Sequence, residues 1–402
     1  MPLTNTADRF GSVSKTFHWL TALGIIALMP LGLIANKMPY ETSEQLADKA
    51  WMFSLHKTVG VAVFFIALAR IIWALTQPKP GLLHPERKIE TLAAETVHWL
   101  LYGSLVVVPL SGWIHHAATT GFAPIWWPFG QNLPLVPKSE AVASIFAGAH
   151  WVLTKVLGIA LLLHIAGALK HHVIDKDATL RRMWFGQTEV PTTTQGHSHA
   201  RPLTVAIALW AVALSVGAAL GAYAPHSGPT TGAALEEVQS DWQVQEGTLS
   251  ITVTQLGSEV TGTFADWTAA ISFDETVEER TAGNVDVTVS IGSLTLGSVT
   301  GQAMGPDYFN AEAFPTATYV AEIVSVVDGY EAQGTLTIKD QSIPLTLPFG
   351  LSIDGDTAWM IANVTLDRRS FGIGDNMADE SSLKFNVGVS VELMATRNSE
   401  GD

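Results

Sequence analysis

Long apolar runs separated by polar connections fill the first half of the chain, and short alternating segments fill the second half. Five runs reach the roughly 20 residues that a helix needs to cross a bilayer. They lie at about 17–36, 52–75, 93–114, 142–170 and 203–223. From about residue 236, apolar and polar positions alternate in short β-branched segments separated by Gly, Asp and Asn. The pattern predicts an all-α transmembrane part followed by an all-β antiparallel barrel or sandwich.

Basic residues in the connections predict how the helices are oriented. One side of the predicted membrane carries Arg9, Lys15, Lys79, Arg87, Lys88, Lys170, Lys176, Arg181 and Arg182. The other side carries only Lys37, Lys49 and Lys138. Because basic connections stay in the cytoplasm, the N-terminus is expected inside and the β part, after five crossings, outside. The first run is read as a retained helix, since no small-residue cleavage site precedes "NKMPY".

Charge and cysteine content exclude several classes of function. Residues 225–402 hold 6 basic and 26 acidic residues, a net charge of −20, whereas 1–224 hold 16 and 11, a net charge of +5. An acidic β part is unsuited to nucleic acid, which needs clustered Lys and Arg. The chain has no cysteine. Disulfides, iron–sulfur clusters, cysteine-bound zinc and covalently attached c-type haem are therefore excluded.

Histidines recur at two depths of the predicted helices. His150 and His164 are fourteen residues apart, which on an α-helix is a rise of about 21 Å and a return to within about 40° of the same direction. By topology His164 shares the inner level with His18, and His150 shares the outer level with His56. Two imidazoles from different helices at each level predict axial ligation of two haems b. Tetrahedral zinc, the alternative, would need three or four ligands at one depth.

Other residues near these histidines fit a large flat cofactor. Arg70 follows His56 by fourteen residues, so it returns to the same face at the inner level. An arginine inside the membrane needs an anion, and a haem propionate would serve. Glycines beside the predicted ligands would let a macrocycle approach the backbone; they are Gly24, Gly60, Gly158 and Gly167.

The helical part also resembles a known family. "FHWL", "LHKTVG", "AHWVLTKVLG", "LLLHIAGALKHH" and "DKDATLRRMW" resemble the four-helix bacterial cytochrome b561 family over about residues 5–185. The resemblance implies that His18, His56, His150 and His164 bind haem iron, and that ubiquinone exchanges electrons with the protein. It further implies a place in the bacterial inner membrane and, in some members, oxidation of superoxide at the outer face. His98 matches a family position and is interpreted either as a hydrogen-bond donor to a quinone carbonyl or as an interfacial side chain.

The remaining histidines indicate less specific roles. His171 and His172 are expected at the level of the lipid headgroups. His115 and His116, at the outer end of the third run, have no counterpart in the family pattern. "GHSH" at 196–199 is interpreted as a solvated linker rather than a loose metal site.

The β part predicts binding rather than catalysis. A barrel of about eight strands without helices can enclose one ligand, and this one has no His or Cys for metal or nucleophilic chemistry. "GTFADWTAAISFD", "YFNAEAFPTATY", "GTLTIKDQSIPLTLPF" and "LDRRSFGIG" resemble the YceI-like family, lipocalin-like envelope barrels that hold polyisoprenoid chains. The family's early-strand histidine is missing, and "SITVTQLG" stands in its place. Arg368 and Phe371 match the terminal motif and predict either barrel closure or ligand contact.

These observations predict three regions and leave three functions open. Residues 1–185 form a di-haem bundle, 186–235 a linker with an anchor helix, and 236–402 a periplasmic barrel. The leading hypothesis is a membrane oxidoreductase that exchanges electrons with isoprenoid quinone and whose barrel binds the same lipid class. One rival is a tethered isoprenoid carrier whose cytochrome serves a separate redox partner protein. The other rival is an assembly adaptor, and a homodimer is compatible with each.

Overall fold

The computed structural model describes residues 2–81, 83–84, 86–119, 123–186, 200–224, 235–236, 238–276, 280–327 and 329–398. The chain forms two compact units. The helical unit comprises Met1–Met38, Lys49–Thr119 and Ala123–Pro225, and the β unit comprises Pro39–Asp48, Thr120–Phe122 and His226–Asp402. The "GHSH" stretch at 196–199 lies outside the described residues.

Five long helices correspond to the five predicted apolar runs, and the last of them ends at Ala219, four residues before the end of its run. They are α1 (Ser12–Lys37), α2 (Ser43–Leu75), α3 (Lys88–Ala118), α4 (Glu140–Lys170) and α6 (Ala200–Ala219). After α4 come a π-helical turn (His171–Asp175) and the short α5 (Thr179–Met183). All five long helices of the described chain are long and apolar enough to cross a membrane. The prediction of several helices able to span a membrane is therefore confirmed.

Apolar side chains lie both inside the helical unit and on its outer surface. Six buried residues form its main core: Ile25, Ala67, Leu105, Val108, Leu153 and Leu157. Outward-facing residues are equally apolar, with Leu162 69% exposed and Ile72 65% exposed. A helix that is apolar all round needs either a protein core or lipid on each face. The outer surface of this unit is therefore suited to lipid.

The helices of this unit are not evenly spaced. α3 and α4 run side by side with Cα atoms within 8 Å over much of their length, and α6 packs against both. Gly103 of α3 makes room for Trp210 of α6, because a Cβ there would lie 2.0 Å from the indole. Among the described residues, α1 and α2 approach other helices this closely only at isolated positions. The space beside α1 and α2 is where a flat group between facing helices would fit.

The β unit is one antiparallel sheet of ten strands. The strands are β1 (Trp242–Gln255), β2 (Ser258–Phe264), β3 (Trp267–Phe273), β4 (Thr281–Ser290), β5 (Leu294–Thr295), β6 (Thr316–Val326), β7 (Gly329–Ile338), β8 (Gln341–Asp354), β9 (Thr357–Asp367) and β10 (Asn386–Arg397). Their order is β3-β4-β6-β7-β8-β9-β10-β1-β2-β5. The sheet curves into a half-barrel, and a backbone hydrogen bond from Asp241 to Ile271 (2.9 Å) joins the start of β1 to β3.

The structure adds two strands and one helical turn to the eight predicted segments. β5 has only two residues, too few for an alternating pattern, and β3 contains two alanines that weaken its pattern. α7 (Thr300–Ala303) is a single turn, so the expectation of a β part without helices was wrong at this position. Pro344 and Pro348 are tolerated in β8 because this half of the strand pairs only with β7.

Candidate functional site

The inner pair of predicted ligands comes together in the structure. His18 of α1 and His164 of α4 have ring centres 6.1 Å apart. Two metal–imidazole bonds of about 2 Å, with about 1 Å from each nitrogen to its ring centre, require ring centres about 6 Å apart. The pair therefore fits axial ligation of a single iron between the two rings.

Two further predicted residues lie at this inner level. The Arg70 Nη1 donates to Thr21 Oγ1 (2.8 Å), and its Nη2 lies 3.5 Å from His18 Nδ1. The guanidinium also lies over the Tyr102 ring, 5.6 Å from its centre. None of these partners is an anion, so a buried cation beside the histidine pair retains the capacity to bind a carboxylate.

His98 also lies beside the inner pair. Its ring centre is 5.0 Å from that of His164, in an edge-on arrangement. Its Nδ1 donates to the backbone carbonyl of Ala94 (2.7 Å), which leaves Nε2 for another partner. The sequence suggested two roles for His98, a hydrogen bond to a quinone carbonyl or an interfacial position. The structure places His98 at the inner level, beside His164.

At the outer level the two histidines are held in different ways. His56 lies on α2 and His150 lies on α4. The Nδ1 of His56 is buried without a hydrogen-bond partner among the described residues. Gly32 of α1 faces this ring, and a Cβ there would lie 2.8 Å from its Cε1. An imidazole with an unsatisfied buried nitrogen, in a cradle that only glycine permits, fits a metal-bound group.

His150 is oriented by hydrogen bonds from its neighbours. Its Nδ1–H donates to the Val108 carbonyl (2.8 Å), with Ser111 Oγ at 3.3 Å. This fixes the tautomer, so Nε2 carries the lone pair that a metal needs. Gly112 lies against the ring, since a Cβ there would be 3.0 Å from Cε1. Sequence reasoning missed these α3 positions because their role depends on a helix that follows more than thirty residues later.

Lys57 is a second residue that sequence reasoning missed. It follows His56 directly, is only 7% exposed, and donates from Nζ to the Ala123 carbonyl (2.6 Å). A protonated Lys57 next to a predicted ligand would add positive charge at the outer level. The "LHKTVG" motif was the only signal that could have drawn attention to it.

His171 lies in a network of ion pairs rather than at an isolated position. Its Nδ1 is 2.6 Å from Asp177 Oδ2, which also lies 3.1 Å from His84 Nε2. Burial raises the pKa of Asp177, but bonds from Thr179 and His171 outweigh it and lower that pKa to about 2. Glu90, His171 and Asp175 have a spacing that could hold a metal ion. The Lys170 ammonium already pairs with both carboxylates at 2.7 and 3.0 Å, so we interpret the cluster as structural.

The β unit encloses an apolar cavity of about 290 Å³. Alternate residues of each strand line it, for example Val387, Val389, Val391, Leu393 and Ala395 of β10. This period of two is the alternation that predicted a strand with one face buried. Tyr319 also lines the cavity, but its hydroxyl donates to the Ala332 carbonyl (2.6 Å), and burial raises its pKa to about 12. The lumen is thus lined almost entirely by apolar side chains.

Arg368 closes the turn region of the β unit. Its guanidinium donates five hydrogen bonds to the backbone carbonyls of Ile373, Gly374, Met377, Leu383 and Lys384. Arg368 is 3% exposed and Phe371 is 2% exposed. Of the two roles predicted for these residues, the geometry favours barrel closure over ligand contact.

Comparisons with known proteins agree with both resemblances. The family model for prokaryotic cytochrome b561 matches residues 9–186, and the model for the YceI-like domain matches residues 242–395. Cytochrome b561 homolog 2 of Escherichia coli is 32% identical over 187 residues, which are 46% of this chain and 95% of that protein. A probable superoxide oxidase CybB of Yersinia pestis is 28% identical over 44% of this chain and 95% of that protein.

Two solved structures are similar to part of this chain. BcnA of Burkholderia cenocepacia is 26% identical, with a TM-score of 0.36 over 39% of this chain and 100% of that chain. The YCEI protein of Campylobacter jejuni is 22% identical, with a TM-score of 0.31 over 34% of this chain and 85% of that chain. The E. coli relative is matched over nearly its whole length, and family models match both parts of the chain. The chain belongs to the cytochrome b561 family through its helical part, and it carries a YceI-like domain at its C-terminal end.

Proposed function

We propose that the helical unit is a di-haem cytochrome b that transfers electrons to or from an isoprenoid quinone, normally ubiquinone. The observation that carries this proposal is the His18–His164 pair, with ring centres 6.1 Å apart inside an apolar helical unit. Haem b supplies one-electron transfer when it is bound. His18 and His164 would hold the inner group, with Arg70 on its propionate, and His56 and His150 the outer group. In this reading α1 to α4 form the haem bundle and α6 is the anchor.

The residues around the histidines would divide the remaining tasks. The Val108 carbonyl and Ser111 keep His150 in the tautomer that presents Nε2. The free Nε2 of His98 would hydrogen-bond a quinone carbonyl at the inner level. The positive charge of Lys57 would favour the approach of a small anion at the outer level, which makes superoxide a candidate electron donor. The name of the Yersinia pestis relative supports the same substrate.

The β unit would bind the polyisoprenoid tail of a lipid. Each apolar carbon moved from water into a dry lumen contributes about 0.8 kcal/mol, so a long isoprenoid chain needs no ionic contact to bind. Because the two units belong to one chain, each would have an effective concentration of up to the mM range for the other. The barrel would then supply or store the lipid class whose head group the cytochrome oxidises or reduces.

An optical titration tests the function. Purified haem-loaded protein should show rapid reduction of its haem absorption bands when ubiquinol or superoxide is added without another protein. A His98→Leu variant should slow the reaction with ubiquinol while the superoxide reaction keeps its rate. Bands that respond to neither reagent in the wild-type protein would exclude the proposed oxidoreductase and favour the carrier with a separate redox partner.

The predicted orientation has its own test. Protease added outside spheroplasts should release a fragment of about residues 236–402, because the basic connections and five crossings place the β unit in the periplasm. The cytoplasmic connection between α2 and α3 should stay intact in the same sample. Protection of the β unit until the membrane is lysed would reverse the orientation.

A further inference from the structure

One end of the lumen of the β unit is polar. Leu249, Ile251 and Val253 are successive inward positions of β1, and Gln255 is the next one. Gln255 is 4% exposed, and its Oε1 is buried without a hydrogen-bond partner among the described residues. A buried amide oxygen without a partner costs about 1–3 kcal/mol relative to one that is hydrogen-bonded. A ligand that supplied the missing bond would recover that free energy.

Further polar groups gather at the same end. Gln255 forms an isolated β-bridge with Leu383. A Cβ on Gly374 would meet Leu383 at 3.4 Å and Tyr308 at 3.2 Å, so these two side chains are neighbours. The Tyr308 hydroxyl accepts a hydrogen bond from Gln302 Nε2 (2.8 Å), which leaves its own proton to be donated. All of these side chains line the cavity.

This polar end offers no cation to a ligand. Arg368 is the one charged residue among the described residues that line the cavity. Its five N–H groups already donate to five backbone carbonyls. A phosphate in the lumen would therefore be desolvated without a charged donor, which is strongly unfavourable. Burial raises the pKa of Tyr308 against the opposing hydrogen bond from Gln302, so this side chain stays a neutral phenol.

We propose that Gln255 and Tyr308 form a head-group site that selects an uncharged, hydrogen-bonding polyisoprenoid over one that ends in phosphate. The primary amide offers both a donor and an acceptor, and the phenol offers a donor. A hydroxyl or a quinone carbonyl therefore satisfies the site, and an anion does not. The inference rests on the proposed function, since it presupposes that the lumen holds a polyisoprenoid chain.

The test compares lipids that share a tail and differ in the head group. Delipidated full-length protein in detergent is titrated with undecaprenol and with undecaprenyl phosphate, and bound lipid is measured by mass spectrometry. Wild-type protein should bind undecaprenol at least about tenfold more tightly than the phosphate. Gln255→Leu should weaken undecaprenol binding about fivefold, as expected for one lost hydrogen bond. Gln333→Leu is the matched control, because Gln333 lies between two lumen-facing positions of β7 and pairs with Glu331 outside.

A variant that is expected to bind a lipid more tightly controls for misfolding. Gln255→Lys places an ammonium at the site and should strengthen the binding of undecaprenyl phosphate, which a damaged fold cannot do. Ubiquinone should compete with undecaprenol for the lumen, and its failure to compete would refute the binding of a quinone carbonyl at this site. Equal binding of the phosphate and the alcohol by wild-type protein, or an unchanged Gln255→Leu variant, would overturn the head-group site.

A variant with a filled lumen distinguishes failure of this inference from failure of the proposed function. Ala332 is 3% exposed and lines the cavity, so Ala332→Trp should fill it and abolish the binding of both lipids. Binding of both lipids that is unchanged in Ala332→Trp would show that the lumen is not the lipid site, and the proposed role of the β unit would fail as a whole. If Ala332→Trp abolishes binding but the wild-type protein binds both lipids equally well, only the Gln255–Tyr308 site is refuted.

Discussion

Replacing His164 by alanine should remove the inner haem and leave the outer one bound. The reason is geometric, since His164 and His18 face each other with ring centres 6.1 Å apart, and the other histidine of α4, His150, lies fourteen residues away at the outer level. Haem content per protein should fall by half, and any residual inner haem should become high-spin because it keeps one axial ligand. His56→Ala and His150→Ala should do the same to the outer haem.

Haem content and spin state are measured by pyridine haemochromogen assay and electron paramagnetic resonance of the purified variants. His172→Ala is the matched control, because His172 is an exposed histidine just beyond α4 and should leave both haems in place. His98→Ala should also retain both haems, although it lies beside His164. Two low-spin haems in His164→Ala would show that the ligands are assigned to the wrong residues.

Replacing Arg368 by alanine should cost the β unit about 3–5 kcal/mol of its free energy of unfolding. The substitution leaves five backbone carbonyls of the connection between β9 and β10 without their donor, and three of the lost hydrogen bonds are buried. Removing one side of a buried, charge-assisted hydrogen-bond set is destabilising by about this amount. In the full-length variant, the β unit should become sensitive to protease at a lower urea concentration than it does in the wild-type protein.

Arg369 provides a control of the same residue type in the next position. It is exposed and pairs with Asp367 (2.6 Å), so Arg369→Ala should change the free energy of unfolding by less than about 1 kcal/mol. Equal effects of the two substitutions would mean that the turn is stabilised by charge at the surface and not by the buried guanidinium.

The lining of the lumen was only partly predictable from the alternation of apolar and polar residues. Alternation along β4 and β10 predicted strands with one buried face, and the structure places those faces around the cavity. The same alternation continues to Gln255, but a glutamine at the end of a strand gives no sign of whether its amide is satisfied. Only the tertiary structure shows that this oxygen is buried without a partner among the described residues, and that Leu383, a residue more than a hundred positions later, lies beside Gln255.

The sequence by itself determined the two-part organisation, the five apolar runs, the two histidine levels and the alternating β segments. Each of these depends on hydrophobic periodicity or on spacing within one element, which local backbone geometry sets. Only the tertiary structure decided what surrounds these residues: Gly32 beside His56, Val108 and Ser111 at His150, and the carbonyls around Arg368. Those contacts join elements that are distant in the chain, and they depend on how helices and strands pack, for which a periodic pattern carries no information.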